Sequence, residues 1–346
     1  MKALILAGGK GARLRPLTMH TPKPIVPIAN RPLLHYQIEL LKKAGISDLI
    51  VSLSKQHWKI EDRLIDGSDL DVRISYTTEA SPLGTAGAFK NASDLINETT
   101  VVINGDILTD VNLAEVVKYH KQKEAIATIV IIPVENPQDY GFVKTDAKGR
   151  VIKYMEKPSR ELIDANTINA GIYVLEPKVL EYVSAAESMM FEYGVFPSLI
   201  EQKEPFYGYK WKGYWADIGT PAAYRQANLD VLAGKINLFQ PHKQDVGEKF
   251  DKKAEIDSTS IVDTSCVLKG SAQIINSIIA RNCFIEEKAR IENSVIRAGS
   301  RIGTSAVVRD SVVGKGCHIG RYVSISRGSI LGDKSVLTDH STVSEE

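Results

Sequence analysis

Between Ser260 and Val343 an aliphatic residue returns at every sixth position, a period that few folds accommodate. The triplets Ser260-Ile-Val, Ser277-Ile-Ile, Ser294-Val-Ile, Ser311-Val-Val and Ser329-Ile-Leu stand 17, 17, 17 and 18 residues apart. Six-residue steps within each unit land on Val262, Leu268 and Ile274; Ile279, Ile285 and Ile291; Ile296, Ile302 and Val308; Val313, Ile319 and Ile325; Leu331, Leu337 and Val343. All fifteen are Ile, Leu or Val, and no shifted register approaches this. A unit of 17–18 residues with an inward aliphatic at every sixth position predicts a three-sided solenoid. Each coil of such a solenoid buries its apolar corner only by stacking on its neighbours. Cys266, Cys283 and Cys317 fall four places after a triplet's last aliphatic, where the other coils carry Ser300 and Ser335. They form a small-residue ladder, because a buried free thiol behaves as a small hydrophobe. Three cysteines without a CxxC pair support neither a disulfide framework nor a zinc site, and they fit a reducing compartment.

Residues 1–232 follow another grammar. Short aliphatic runs at 3–7, 48–53, 72–77, 100–104 and 126–132 carry few charges and many β-branched residues, the pattern of buried strands. Between the first two, Pro32 suits a first helical turn, Leu34, Ile38 and Leu41 fall at i, i+4 and i+7, and Gly45 suits the end. The stretch 112–123 is a second helix, with Val116 and Val117 inward and Lys118, Lys121 and Lys123 toward the C-terminus that favours cations. Alternating strand and helix implies a parallel, doubly wound sheet, which binds ligands beyond the carboxyl ends of its strands. Residues 233–253 are polar without a clear period and predict a linker, leaving 254–346 to the solenoid.

Charge is balanced, 43 basic against 42 acidic residues, a net +1, which argues against nucleic acid or a membrane surface as a partner. The first apolar run is too short for a signal-peptide core, and no run approaches the ~20 apolar residues of a membrane span. The expectation is a soluble, cytoplasmic protein. An anion site must then be a local cluster, and Leu6–Pro27, LAGGKGARLRPLTMHTPKPIVP, is one: three glycines, four basic residues, four prolines and no acid. A Walker loop requires Ser or Thr after Gly-Lys, where Gly11 stands, and a dinucleotide fingerprint requires glycine where Leu14 stands. The continuation Arg13, Pro16-Leu17-Thr18 and Pro22-Lys23-Pro24 belongs to neither.

That string resembles the GGxGxRLxPLT…PKP signature of the sugar-1-phosphate nucleotidylyltransferases. The likeness continues in order through Pro82-Leu-Gly-Thr-Ala-Gly87, Asn104-Gly-Asp106, Tyr140-Gly141, Glu156-Lys-Pro158, Asn169-Ala-Gly171 and Asp217-Ile-Gly219. The solenoid period resembles the hexapeptide repeats of left-handed parallel β-helices. Together these resemblances cover nearly the whole chain and look closest to the mannose-1-phosphate guanylyltransferases. They imply a Rossmann-like, doubly wound mixed α/β sheet forming a nucleotidyltransferase domain (1–232), a linker (233–253) and a left-handed parallel β-helix (254–346).

The reaction so implied is attack of a sugar 1-phosphate on the α-phosphorus of a nucleoside triphosphate, expelling pyrophosphate. Such transfers ask a protein mainly for positioning and charge neutralisation. Gly8, Gly9 and Gly11 let backbone N–H groups approach the triphosphate. Arg13 offers a planar fork to the β- and γ-phosphates, and Lys23, between two prolines, a point charge near the α-phosphate. The resemblance extends the nucleotide contacts to Leu6, Ala7, Gly84 and Thr85. It makes Asp106 and Asp217 ligands of Mg²⁺, which keeps its waters and takes few protein ligands. On the sugar side it implies Glu156 accepting from two hydroxyls, Lys157 on the phosphate, Gly141 and Gly171 close to the ring, and Asn169 as donor and acceptor.

In that family the residue before the PLGTAG-like loop reads the base edge, and Glu79 stands there. Guanine presents N1–H and N2–H₂ as adjacent donors to one carboxylate, so GTP and mannose 1-phosphate are expected, yielding GDP-mannose. Glucose 1-phosphate with UTP or dTTP is the alternative. A non-catalytic homologue that senses nucleotide sugars would lose some of Arg13, Lys23, Asp106 and Asp217, and all four are present. An acyltransferase β-helix would show an extended loop, whereas the coils run without insertion despite His318 and His340. The exposed end of a β-helix is an unpaired edge, which predicts a homo-oligomer through that end.

Overall fold

Aliphatic runs too apolar to face water on either side become the central strands of the chain's larger sheet. In chain order the elements are β1 (Lys2–Leu6), α1 (Leu33–Lys43), β2 (Asp48–Ser54), β3 (Arg73–Glu79), α2 (Gly84–Asn91), β4 (Thr100–Asn104), α3 (Leu113–Gln122), β5 (Ala127–Pro133), β6 (Gly141–Thr145), β7 (Val151–Glu156), β8 (Thr167–Leu175), α4 (Phe196–Glu201), β9 (Phe206–Lys210) and α5 (Pro221–Leu232), ahead of the solenoid. The computed structural model describes residues 1–54, Ile60, Leu64, 66–184, 188–236 and 247–344, so residues 237–246 of the expected linker lie outside the described residues. Two compact units share the chain: Met1–Gly9 with Gln37–Trp215, and Lys10–Tyr36 with Ala216–Glu346. Among the described residues no helix is long and apolar enough to cross a membrane.

In the first unit the sheet runs β7-β6-β8-β4-β1-β2-β3, with β5 pairing both β8 and β9. The expected parallel arrangement holds for β4-β1-β2-β3. Beyond β4 the sheet turns mixed: β8 is antiparallel to β4 and β5, and β6 to β7. Strands β6 and β7 are partly exposed and carry polar residues between their apolar ones, and β8, though buried almost throughout, is interrupted by Thr167, Asn169 and Gly171, which hides all three from a search for continuous aliphatic runs. Phe191, Phe196 and Phe206 are buried beneath this half, their rings stacked with centroids 5.5 and 5.1 Å apart. Helix α3 forms as expected, with the Asn112 side chain accepting from the Glu115 N–H and Val116 and Val117 buried. Pro32 is not in α1: it ends a hairpin, Pro27–Ile28 against Arg31–Pro32, whose turn places Ala29 and Asn30 at positive φ.

In the second unit α5 secures that hairpin. Thr220 caps α5 through the Ala223 N–H, the buried Asn228 accepts from the Ala29 N–H at 2.9 Å, and the Tyr224 hydroxyl donates to the Pro27 carbonyl at 2.8 Å. The solenoid then stacks in three parallel sheets of six, five and five strands. The fifteen six-step aliphatics pair in register from coil to coil, as Ile274 with Ile291 with Val308. Those from Val262 to Ile325 are buried, and Leu331, Leu337 and Val343, in the last described coil, are half-buried. The repeat does not reveal the rung before Ser260, where Phe250 bridges to Leu268 and Ile256 pairs with Ile274.

Two ladders explain the small residues at the corners. The amides of Ser277, Ser294 and Ser311 have no strand partner and donate to the serine hydroxyl of the preceding coil at 3.0–3.1 Å. The three cysteines are free and buried, and the thiols of Cys266, Cys283 and Cys317 donate to Ala280, Arg297 and Gly332 carbonyls one coil on. Ser294→Ala strands the Ser311 N–H inside the coil, so it is expected to cost about 1–3 kcal/mol, read as a lower denaturant midpoint with an unchanged m-value.

Candidate active site

Three strand ends make the floor of the first unit's site. Leu6 is level with Ser52 of β2 and Asn104 of β4, and the Gly105 N–H donates to the Leu6 carbonyl at 2.9 Å. A Cβ on Gly105 would lie 2.6 Å from that carbonyl oxygen, so the residue between Asn104 and Asp106 must be glycine. Asp106 thus sits in a turn just past β4. The Ala7 N–H donates to the Ser52 carbonyl, carrying the chain on to Gly8. A Cβ on Gly8 would meet Glu79 Oε1 at 3.1 Å, so Glu79 lies directly beneath the glycine-rich segment.

Glu79 is buried and anchored at both oxygens. Ser52 Oγ donates to Oε1 and the Leu83 N–H to Oε2, each at 3.1 Å. The loop after β3 is therefore tied to its own carboxylate, and each oxygen keeps a lone pair for a further donor. Gly84 has φ +74°, and a Cβ there would lie 2.5 Å from the Met189 carbonyl oxygen. That carbonyl accepts from the Ala86 and Gly87 N–H groups and so occupies the N-terminus of α2. Thr85 donates its hydroxyl to Glu192 at 2.8 Å and accepts from the Phe191 N–H, so its side chain is committed to the interior.

The sugar-side residues of the expectation gather in the same unit. Gly141 and Glu156 are register partners on β6 and β7, and a Cβ on Gly141 would lie 2.8 Å from Glu156 Oε2. Tyr154 donates to that oxygen at 3.0 Å. Asn169 donates to the Tyr173 hydroxyl at 2.9 Å, and its Oδ1 accepts from the Gly171 N–H at 2.8 Å. Gly171 has φ +71°, and a Cβ there would lie 2.7 Å from Asn104 Nδ2, which joins this group to the floor. Lys157 follows β7 at φ +45°, its N–H donating to the Tyr140 carbonyl at 3.2 Å.

Sequence reasoning misses Glu192, whose side chain lies behind both groups. Its carboxylate takes the Thr85 hydroxyl on one oxygen and the Tyr173 hydroxyl, at 3.5 Å, on the other. An acid set between Met189-Met190-Phe191 and Val195-Phe196 is the one signal the chain offers. Burial pushes the Glu192 carboxyl up from its ordinary value, partly offset by its backbone and Thr85 hydrogen bonds. Tyr154 and Tyr173 are likewise held protonated by burial and so remain donors.

In the second unit Gly11, at φ +60°, opens a short turn through Arg13. A Cβ on Gly11 would come 3.1 Å from Lys23 Cβ, bringing the two ends of the basic loop together. Lys23 is buried, while the Arg13 side chain is 67% exposed. Arg13 Nη2 lies 3.8 Å from Asp217 Oδ2, and Lys23 Nζ lies 3.8 Å from Oδ1. Gly219 is a second residue the motif conceals: a Cβ would sit 3.0 Å from both Asp217 oxygens and 3.2 Å from Arg13 Nη2. Two cations, Arg13 and Lys23, thus gather around one carboxylate beside the glycine turn. Carboxylate oxygen is also the donor type that a hard divalent cation accepts.

Residues 2–234 match the family profile described as Nucleotidyl transferase. The chain belongs to that family. Residues 242–343 match the profile described as EIF2B subunit epsilon LbH domain, which bears out the left-handed parallel β-helix expected of the hexapeptide-like repeats. A UTP–glucose-1-phosphate uridylyltransferase of Synechocystis sp. is 37% identical over 254 residues, 69% of this chain and 66% of that protein. A mannose-1-phosphate guanylyltransferase of Mycobacterium tuberculosis is 38% identical over 234 residues, 67% of this chain and 65% of that protein. Each match thus spans just under two thirds of the relative's own length. A crystal structure from Bacillus anthracis, described as a glucose-1-phosphate thymidylyltransferase in complex with sucrose, superposes with TM-score 0.62 at 26% identity, covering 70% of this chain and 98% of that one. The Rossmann-like mixed sheet expected of the first 232 residues agrees with this family.

Glu192 supplies a test of the interior network. A carboxyl whose pKa is raised by folding stabilises the fold below its unfolded value near 4.5 and loses that contribution as pH rises through the folded value. Glu192→Gln removes the buried charge, so it is expected to raise the thermal midpoint more at pH 8 than at pH 5. Calorimetry at both pH values checks this.

Proposed function

We propose that the protein joins a nucleoside triphosphate to a sugar 1-phosphate, with release of pyrophosphate. The observation that carries this is the pair of cations, Arg13 and Lys23, each 3.8 Å from the Asp217 carboxylate on a loop turned by Gly11. Loop glycines let backbone donors approach a triphosphate, Arg13 swings to its outer phosphates, and Lys23 meets charge developing at the α-phosphorus. Asp106 and Asp217 are the proposed carboxylate donors to Mg²⁺. When bound, Mg²⁺ would neutralise phosphate charge. Glu156, Asn169, Gly141 and Gly171 are proposed to receive the sugar hydroxyls, and Lys157 its phosphate. The nucleotidyltransferase domain so proposed spans 1–232.

GTP and mannose 1-phosphate are the substrates this reading favours. Glu79 supports guanine, because an anchored, buried carboxylate with lone pairs to spare accepts two adjacent donors and repels the carbonyl oxygens of uracil. The guanylyltransferase relative points the same way, and the uridylyltransferase relative supports a second reading, UTP with glucose 1-phosphate. Pyrophosphate release with each of five NTPs against mannose, glucose and N-acetylglucosamine 1-phosphates decides between them, and no release in any combination with Mg²⁺ sinks both. Glu79→Gln is expected to lower the GTP-to-UTP ratio of kcat/KM by about tenfold or more; an unchanged ratio removes Glu79 from base recognition. Asp106→Asn and Asp217→Asn are each expected to cut turnover by about 100-fold or more, the first without shifting the thermal midpoint and the second with a lowered midpoint because the buried Lys23 loses the carboxylate charge beside it, and chelation should abolish turnover until Mg²⁺ is restored.

A further inference from the structure

The position after each serine triplet carries Asp263, Ala280, Arg297, Gly314 and Gly332 in the five coils. Arg297 interrupts a run of small residues, yet it is 1% exposed and heads the largest buried side chains among the described residues. Packing within the coil does not ask for it, since the neighbouring coils carry only Ala280 and Gly314 there.

The arginine is used by the basic loop, which belongs to the same compact unit as the β-helix. Its Nη1 donates to the Leu17 carbonyl at 3.0 Å, and its Nη2 donates to Thr21 Oγ1 at 3.1 Å. The next two coils complete the clamp. Lys315 Nζ also donates to Thr21 Oγ1, at 2.8 Å. Asp333, itself buried, lies 3.4 Å from Arg297 Nη1 and accepts from the Lys315 N–H at 2.8 Å. A Cβ on Gly332 would come within 3.3 Å of Pro16 Cβ, so the glycine lets the coil lie against the loop. Asn30, in the hairpin that follows, donates to the Ile279 carbonyl at 3.1 Å.

Leu17 and Thr21 lie between Arg13 and Lys23 in the chain. From them the loop passes its geometry inward, with Thr18 Oγ1 donating to the Gly11 carbonyl at 2.7 Å and Gly11 packed against Lys23 Cβ. A guanidinium is a rigid planar fork, so two bonds from one group fix two points of the loop together. A buried cation is a poor source of stability, because an apolar side chain of similar volume does as well or better. What it supplies is direction.

We propose that Arg297, backed by Asp333 and Lys315, is a positioning residue for the nucleotide site. The β-helix thereby holds the loop in the conformation from which Arg13 and Lys23 meet the triphosphate, and it is a working part of that site. This rests on the nucleotidyltransfer reading of the same loop.

Two variants of the full chain test it. Arg297→Met keeps volume and removes the fork, while Thr21→Val removes the acceptor from the loop side and leaves every coil intact. In both, amide hydrogen exchange over residues 12–24 should accelerate at least about tenfold. KM for the preferred NTP should rise by about tenfold or more, with KM for the sugar 1-phosphate within about twofold of wild type. A folded variant with unchanged loop exchange and unchanged KM for the NTP overturns the proposal, as does an equal rise in both KM values. If Arg297→Met does not fold, Thr21→Val decides alone on the same criteria. A wild-type chain that releases no pyrophosphate with any substrate pair sinks the parent reading, whereas the exchange rates still judge whether Arg297 holds the loop.

Discussion

The hydrogen bond from the Gly105 N–H to the Leu6 carbonyl closes the carboxyl end of two neighbouring parallel strands, and the first unit's site is built outward from it. Parallel pairing brings Leu6, Ser52 and Asn104 to one edge. Beyond that edge lies the ligand crevice expected of doubly wound sheets. Gly8 then passes over Glu79, and Asp106 follows at the lip. The glycines at 105 and 171 are demanded by backbone or amide atoms within 2.7 Å of a would-be Cβ, so they belong to the geometry of the crevice before any ligand enters it.

Beneath the crevice lies a polar network in an otherwise apolar core. Thr85, Glu192, Tyr173, Asn169, Tyr154 and Glu156 form one connected chain of hydrogen bonds. Such networks are tolerated inside proteins when their members are satisfied, and they then confer a unique arrangement. Here the arrangement ties the loop after β3 to the strands that carry the sugar-side residues. In the second unit an equivalent task falls to Arg297, Lys315 and Asp333, which tie the basic loop to successive coils. Both devices use buried polar and charged groups for orientation, and in the first the rings of Tyr154 and Tyr173 also pack against Phe191 and Phe196.

How legible each part was depends on how local its cause is. The β-helix shows in the sequence because each coil repeats one environment, so the inward positions recur at a covalent spacing, and Val262 through Val343 all pair as that spacing predicts. Strands β1, β2, β4 and β5 show because burial on both faces leaves nearly uninterrupted aliphatic runs, whereas the edge strand β3 is only partly buried and shows by its β-branched and aromatic residues. Strands β6 and β7 do not, because partial exposure mixes their residues, and β8 does not, because Asn169 and Gly171 interrupt it. Pro32 misleads because a proline suits both a helix start and the end of the hairpin that α5 secures. Glu192 and Arg297 each look like an ordinary surface charge until the chain folds over them.

By itself the sequence determined the solenoid period, the alternation of strand and helix, and the residue types of an anion-binding loop, since each follows from interactions between residues close along the chain. Only the tertiary structure decided the mixed half of the sheet, the double anchoring of Glu79, the two cations around Asp217 and the clamp from Arg297 to Leu17 and Thr21. These depend on groups up to 280 residues apart in the chain. Their partners are selected by burial and distance, quantities that no local pattern of side chains encodes.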